Sequence, residues 1–295
     1  LLRLTEDEFW FSISDSDLLL WLQGVNVSKK YDVEIDEIDV CPVQIQGPLS
    51  EDLMAKLAGE ELREVPYYGI LETKVGGADC LISQTGFTGE KGYEIYVRDA
   101  HENAEKMWNA VLEAGEEFGL MVIAPAHHRR IAAGILSWGQ DLDHETSPFQ
   151  INLSYQVPRN KAADYIGKEE LEKQRAIIDE GKAPFKMKMV GLTLGGKEIT
   201  DYAPDFWIVT NTGGDEVGYV ISPWWSPELE TNIALAWVPW EASEVGSEYM
   251  VKLPDEYAES PGVAVNARIV DVPFRESVNP NKREVQAAKG LDFAD

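Results

Sequence analysis

The segment SQTGFTGEKGYEI, residues 83–95, decides how the first half of the chain folds. Residues 80–85 and 93–97 are rich in apolar and β-favouring side chains, which predicts two strands. Three glycines lie within the seven residues 86–92 that separate these runs. The segment therefore predicts two strands joined by a glycine-rich bend or hairpin loop.

Glu94 lies in the middle of the second predicted strand. Because side chains alternate between the faces of a strand, Glu94 shares a face with Tyr96. The opposite face takes Tyr93, Ile95 and Val97. A carboxylate in this place needs hydrogen-bond donors, which a ligand can supply, and a solvent-facing glutamate is the plain alternative.

A helix and further strands surround this segment. The spacing of the apolar side chains predicts an amphipathic helix over residues 101–118. The predicted order between about residues 38 and 124 is strand, helix, strand, strand, helix, strand. That order is compatible with a split βαβ domain of the ferredoxin-like type.

The second half of the chain changes character. Residues 126–135 read as a helix, residues 153–157 as a short strand, and a further helix begins at Lys168. Residues 179–184 read as a linker. Short β-rich runs then alternate with turns, which predicts a small β-barrel. These runs are residues 187–194, 205–210, 216–222, 233–238, 249–253 and 263–270.

The predicted fold class is α+β, and the chain is predicted to divide into three regions. We expect a first region over residues 1–178 and a C-terminal β-barrel domain over residues 185–275. Residues 276–295 read as a tail. The chain opens with Leu1 rather than Met and already reads as a strand there, so we expect that an upstream segment is missing.

The charge balance excludes several classes of protein. The chain has 26 Lys and Arg residues against 52 Asp and Glu residues, a formal net charge of -26, so nucleic acid is not an expected partner. No apolar run approaches the roughly 18 to 20 residues that span a bilayer, and no signal peptide is visible. We therefore expect a cytoplasmic protein without a membrane partner. Cys41 and Cys80 read as buried, reduced thiols with no metal role.

The segment 83–95 is similar to the signature of the glycine-cleavage T-protein (aminomethyltransferase) family. In that family a Gly-aromatic-Thr-Gly turn precedes a Gly-aromatic-Glu-Ile strand. Further pieces follow in the family's order, namely residues 46–48, 139–143 with 146–148, and 226–227 with 232–234. The resemblance implies a T-protein-like cloverleaf whose cofactor is tetrahydrofolate.

The resemblance also implies residues of a folate site. In the family the glutamate at the position of Glu94 binds the pterin, whose adjacent N–H donors a carboxylate accepts side by side. Phe87 stands where the family commonly has Tyr, so it keeps stacking and loses a hydrogen bond. Tyr67 and Tyr68 match an aromatic pair that lies near the folate in the family. Packing in the core or in a turn is an equally favoured interpretation of these two residues.

Residues 127–130 are the densest basic cluster, and Arg129 and Arg130 are candidates for the glutamate tail of folate. The family usually places an Arg at the position of Ala126. The alternative role of this basic cluster is to place positive charge at the end of a helix. His127 and His128 are neighbours on a helix and point about 100° apart, which speaks against a shared metal ion.

Two further features of this region are candidates. Trp225 belongs to an aromatic turn that the resemblance brings to the central cavity, with packing as an equal reading. Asp141, Asp143 and His144 could form a carboxylate and imidazole cluster for acid-base work or for a cation, but an acidic loop is the favoured interpretation. The resemblance gives this loop a structural role lining the central cavity. The family's catalytic Asp is expected upstream of residue 1, so no catalytic residue is assigned.

The resemblance leaves the branch of the family open. Residues 8–17, 147–149 and 225–227 look more like the dimethylsulfoniopropionate or aromatic-methoxyl demethylases, whereas residues 88–92 read more like T-protein itself. The expected partners are a small methyl or aminomethyl donor and, for the T-protein branch, a lipoyl carrier protein. A non-catalytic folate-binding protein, or the folate module of a larger flavin-dependent dimethylglycine or sarcosine oxidoreductase, remains an alternative.

Overall fold

The computed structural model describes residues 1–13, 17–159 and 161–275. The predicted tail, residues 276–295, and part of the 8–17 run lie outside the described residues. The chain divides into two compact units, residues 1–124 and a second unit from Pro125 onward.

The first unit is built on one antiparallel sheet of four strands. Its elements in chain order are β1 (Leu2–Arg3), β2 (Phe9–Trp10), α1 (Leu18–Lys29), β3 (Val40–Gln46), α2 (Ser50–Ala58), β4 (Ile70–Val75), β5 (Ala78–Ser83), β6 (Gly92–Arg98) and α3 (Ala100–Gly115). Short 3₁₀ turns follow α2 and α3, at Glu60–Glu64 and Glu116–Phe118. The sheet order is β3-β6-β5-β4, so β6 is a central strand.

The element order of this sheet departs from the predicted one in two places. An additional hairpin joins β4 to β5 through Gly76 and Gly77, whose φ angles of 59° and 83° suit a two-residue turn that glycine adopts without strain. No strand forms over residues 120–124, where Met121, Val122 and Ile123 are exposed. A run of apolar residues was therefore insufficient to predict a strand there.

The two faces of the sheet follow the predicted alternation. Tyr93, Ile95 and Val97 are buried on the face that packs against α2 and α3. Tyr96 lies on the opposite face with Leu81 and Leu2. Both cysteines were predicted to be buried. This prediction is confirmed for Cys80 but is wrong for Cys41, which is exposed on edge strand β3.

The second unit contains the barrel and the helices that precede it. Its elements are α4 (His127–Ala132), a 3₁₀ turn (Ser154–Gln156), α5 (Lys168–Asp179), β7 (Met187–Leu194), β8 (Trp207–Thr210), β9 (Glu216–Ser226), β10 (Thr231–Pro239), a 3₁₀ turn (Trp240–Ala242), β11 (Glu248–Val251) and β12 (Val265–Val270). The six strands close in the order β10-β7-β12-β11-β8-β9.

The predicted fold class, α+β with a C-terminal β-barrel, is confirmed, and all six predicted barrel runs form strands. The strand predicted for residues 153–157 is wrong, because this segment forms a 3₁₀ turn. Ile131 of α4 packs with Ile221 and Ile233 on the barrel, which explains why the compact unit begins well before β7. None of the described helices has the length and apolarity needed to cross a bilayer.

Candidate functional site

Glu94 occupies the centre of the sheet in the first unit. It lies opposite Gln44 of β3 on one side and opposite Ser83 of β5 on the other. Its side chain is half-buried on the face away from the two helices. The carboxylate of Glu94 therefore lies between two polar neighbours on the sheet.

Two donors hold the carboxylate of Glu94. The Gln44 amide donates to Oε1 at 2.9 Å, and the Tyr96 hydroxyl donates to Oε2 at 3.0 Å. Burial raises the pKa of Glu94 from its ordinary value, and the hydrogen bonds from Tyr96 and Gln44 oppose that shift. Since an ionised carboxylate offers about four acceptor positions, each oxygen keeps room for a further donor.

The glycine-rich bend is built around Gln46. This side chain accepts a 2.8 Å hydrogen bond from Thr88 and donates to the carbonyl oxygen of Thr85 at 3.1 Å. A Cβ on Gly86 would meet the Gln46 side-chain atoms at 2.0–2.3 Å, and one on Gly92 would meet them at 2.3–2.7 Å. A side chain at either position would therefore displace the Gln46 side chain from these two hydrogen bonds.

The aromatic candidates of the first unit lie on this bend and before β4. Phe87 is half-buried within the bend. Tyr67 and Tyr68 contact each other, with ring centroids 4.1 Å apart at 34°. Tyr68 has a φ of 64°, uncommon for a bulky residue, and its backbone N–H donates to the Gln84 carbonyl at 3.0 Å. This turn presents Tyr68, which is 42% exposed, at the surface of the unit.

In the second unit, Arg130 is the centre of a buried polar network. Its side chain is 1% exposed and forms an ion pair with Asp141 at 2.5 Å. Its second terminal nitrogen, Nη2, donates to Ser222 at 3.0 Å, and Ser222 in turn donates to Asp141. The backbone N–H of Ser137 also donates to Asp141 at 2.7 Å. Asp141 is thus the buried counter-ion of Arg130, which is a structural role within its loop.

His127 is coupled to this network. Its Nδ1 lies 3.1 Å from Nη2 of Arg130, and because Arg is only a donor, the imidazole accepts there and carries its proton on Nε2. Burial, with the positive charge of Arg130, lowers the pKa of His127 to about 4. The ring stacks on Trp224 at 5.6 Å and meets Tyr202 edge-on at 4.3 Å. His127 is therefore a neutral imidazole within an aromatic cluster at ordinary pH.

The other two candidates of the second unit, Arg129 and Trp225, are the sequence neighbours of Arg130 and Trp224. Arg129 is exposed on α4. Trp225 is half-buried on β9, opposite Asn232, and its backbone N–H donates to Ile199 at 2.8 Å. Within the described residues no group of three or more His, Cys, Asp or Glu side chains is arranged to hold a metal ion.

Sequence reasoning missed the partners of these candidates. Gln44 lies 50 positions from Glu94, and Ser222 lies 92 positions from Arg130. Strand periodicity identified the face of Glu94, but only the register between β3 and β6 shows which side chain lies opposite.

Comparison with known families assigns both halves of the chain. The family model described as the GCVT N-terminal domain matches residues 1–161. The model described as the glycine cleavage T-protein C-terminal barrel domain matches residues 188–275. The second match coincides with the observed barrel.

Individual relatives carry two different names. The chain is 32% identical over 253 residues to the dimethylsulfoniopropionate demethylase DmdA of Ruegeria pomeroyi, covering 86% of this chain and 66% of that protein. It is 30% identical to an aminomethyltransferase of a Geobacillus species, covering 91% of this chain and 72% of that protein. An aminomethyltransferase of Clostridium botulinum is 31% identical, with 90% and 70% covered. The chain thus spans about two thirds of the length of these relatives.

A solved structure agrees at the level of fold. The glycine cleavage system aminomethyltransferase T from Bartonella henselae superposes with a TM-score of 0.67 at 21% identity, over 87% of this chain and 66% of that one.

Proposed function

Because the chain belongs to the glycine-cleavage T-protein family, we propose that it is a tetrahydrofolate-dependent one-carbon transferase. It moves a methyl or aminomethyl group from a small donor to tetrahydrofolate. The relatives are named as aminomethyltransferases and a demethylase, which supports transfer of a one-carbon group. Residues 1–178 are the folate-binding region in this proposal, and residues 185–275 form the barrel domain.

The observation that carries the proposal is the state of Glu94. Its half-buried carboxylate is held by Gln44 and Tyr96 and keeps acceptor positions on both oxygens. A pterin edge with adjacent N–H donors fits such an acceptor pair and relieves the cost of burying the charge. Glu94 therefore binds and orients the pterin ring.

Aromatic side chains of the first unit complete the proposed pterin site. Phe87, on the bend beside β6, stacks against the ring, and Tyr67 with Tyr68 supplies a further aromatic surface. For Trp225 we propose, from the family resemblance alone, a contact with the folate. These contacts exclude water and hold the folate N5 toward the carbon donor, which is how orientation lowers the barrier.

The two arginines receive different roles. Arg130 is 1% exposed and already bonded to Asp141 and Ser222, so it positions α4 against the barrel. Arg129 is exposed, and we assign to it the contact with the glutamate tail of folate.

The branch of the family depends on the donor. The relatives named as demethylase and as aminomethyltransferase have similar identities, 32% and 30%. Either a sulfonium or aryl methyl donor, or an aminomethyl group on a lipoyl carrier protein, therefore fits the proposal. We place the reaction in the cytoplasm.

Product analysis tests the function. The protein is incubated with tetrahydrofolate and each candidate donor, and folate products are identified by mass. The 5-methyl product supports the demethylase branch, and the 5,10-methylene product supports the T-protein branch. Tetrahydrofolate binding without either product would favour a non-catalytic folate-binding protein and contradict the transferase.

A further inference from the structure

A cavity of about 200 Å³ lies in the second unit, where α5 faces the segment that precedes it. Its walls include four cationic side chains, and Tyr165 lies among them. The cations are Arg159, Lys161, Lys168 and Arg175.

The charge of this cavity is opposite to that of the chain. Two carboxylates, Glu172 and Asp179, also line it, so the charged lining residues sum to two positive charges. The chain as a whole has a net charge of -26. A local excess of positive charge on such an acidic protein favours the binding of an anion whose negative charge balances it.

The cations are held in place before any ligand arrives. Arg159 donates to both oxygens of Asp179, at 2.7 and 2.6 Å. Lys168 donates to the carbonyl oxygens of Lys161 and Ala163 at 3.2 and 3.3 Å. The ammonium groups of Lys161 and Lys168 lie 5.1 and 5.9 Å from the Tyr165 ring centroid. Such preorganisation lowers the entropic cost of binding.

Arg175 supplies a buried positive charge that forms no close ion pair with a described carboxylate. It is 9% exposed, lies 5.0 Å from the Phe149 ring and donates Nη2 to the Val157 carbonyl oxygen. Within residues 1–13, 17–159 and 161–275 it has no carboxylate at ion-pair distance. Burial, together with the charge of Arg159, lowers the pKa of Arg175, and the negative charge of Asp179 opposes that shift.

We propose that this cavity is a second ligand site that binds a compact dianion of phosphate size. Arg175 is the buried donor, and Lys168, Lys161 and Arg159 form the more exposed rim. Guanidinium and ammonium groups form charge-assisted hydrogen bonds with such oxyanions. The argument uses no residue of the proposed folate site and stands without it.

Calorimetric titration with inorganic phosphate at constant ionic strength, with chloride as the balancing anion, tests the site. We expect saturable binding to the wild-type protein. The double variant Lys161→Gln/Lys168→Gln removes two rim charges and keeps Arg175, and we expect its affinity to be at least about tenfold weaker. Circular dichroism establishes that the variant is folded.

A charge-matched control separates a built site from general attraction. Lys197→Gln/Lys252→Gln removes the same charge from exposed positions of the second unit and is expected to bind phosphate as the wild type does. Absence of saturable binding to the wild type overturns the proposal. The proposal is also overturned if both double variants lose phosphate affinity equally, or if Lys161→Gln/Lys168→Gln loses none.

Discussion

The side-chain amide of Gln44 donates a 2.9 Å hydrogen bond to Glu94 from the directly opposite position on the neighbouring strand. Tyr96, two residues along β6, donates to the other carboxylate oxygen. The carboxylate is thus fixed in direction by two donors, although burial acts against its charge. A group that is costly to bury and rigidly aimed is typical of a binding site.

Replacing Glu94 with Gln tests the cost of this buried charge. Burial raises the Glu94 pKa, so between its unfolded and folded pKa values the folded state binds more protons than the unfolded one. The contribution of Glu94 to wild-type stability therefore falls as pH rises above about 4.5, a dependence that Glu94→Gln removes. We expect the Tm of Glu94→Gln relative to wild type to be higher at pH 7 than at pH 4. A Tm difference that does not change with pH contradicts this assignment.

A methyl group on Gly86 is expected to disrupt the bend. It would meet the Gln46 side chain at 2.0–2.3 Å, so Gly86→Ala should lower the free energy of unfolding by about 1 to 3 kcal/mol. Urea denaturation measures the change. The control is Gly24→Ala, since nothing lies within 4 Å of a Cβ there and α1 should gain up to about 1 kcal/mol. Similar effects of the two substitutions would show that Gln46 does not restrict the bend.

Removing the charge of Arg130 should be the most destabilising of these changes. Arg130→Met leaves Asp141 buried without its cation, at a cost of about 3 to 5 kcal/mol. Chemical denaturation checks it, with Arg268→Met on the barrel surface as the control, expected within about 0.5 kcal/mol of wild type.

A second substitution at the same ion pair identifies the cause. Adding Asp141→Leu to Arg130→Met removes the uncompensated charge and should restore part of the loss. If the double variant is no more stable than Arg130→Met, lost packing rather than a buried charge explains the effect.

The neutral state of His127 predicts a pH dependence of stability. Its folded pKa is about 4 against an ordinary value of 6.5, so the unfolded state binds more protons in that interval. Stability supplied by the neutral ring is present above pH 6.5 and is lost as pH falls towards 4. Discounted for partial exposure, the loss is about 1 to 2 kcal/mol.

Urea denaturation of His127→Gln and wild type between pH 4 and 7.5 measures this dependence, because the variant retains an acceptor for Arg130 and does not titrate. We expect the wild type to lose more stability than the variant on acidification. The exposed His144→Gln serves as the control and should follow the wild type. Parallel curves for wild type and His127→Gln would refute the neutral assignment.

Periodicity was sufficient to predict the barrel strands and the face of Glu94, because alternation with period two is a local property of the sequence. It failed at residues 120–124, where apolar residues have no strand to pair with in the described fold. It also could not pair Arg130 with Asp141, since hydrogen bonding between loops and helices leaves no periodic signal. The long-range partners of the site are thus set by tertiary packing.

Titration of wild type and Glu94→Gln with tetrahydrofolate tests the central claim most directly, with Glu72→Gln on β4 as an exposed control of equal charge change. We predict micromolar binding to wild type and to Glu72→Gln, and a loss of about 2 to 4 kcal/mol for Glu94→Gln, because a charge-assisted contact is removed. Equal affinity of Glu94→Gln and wild type, or no binding to wild type, would contradict the account.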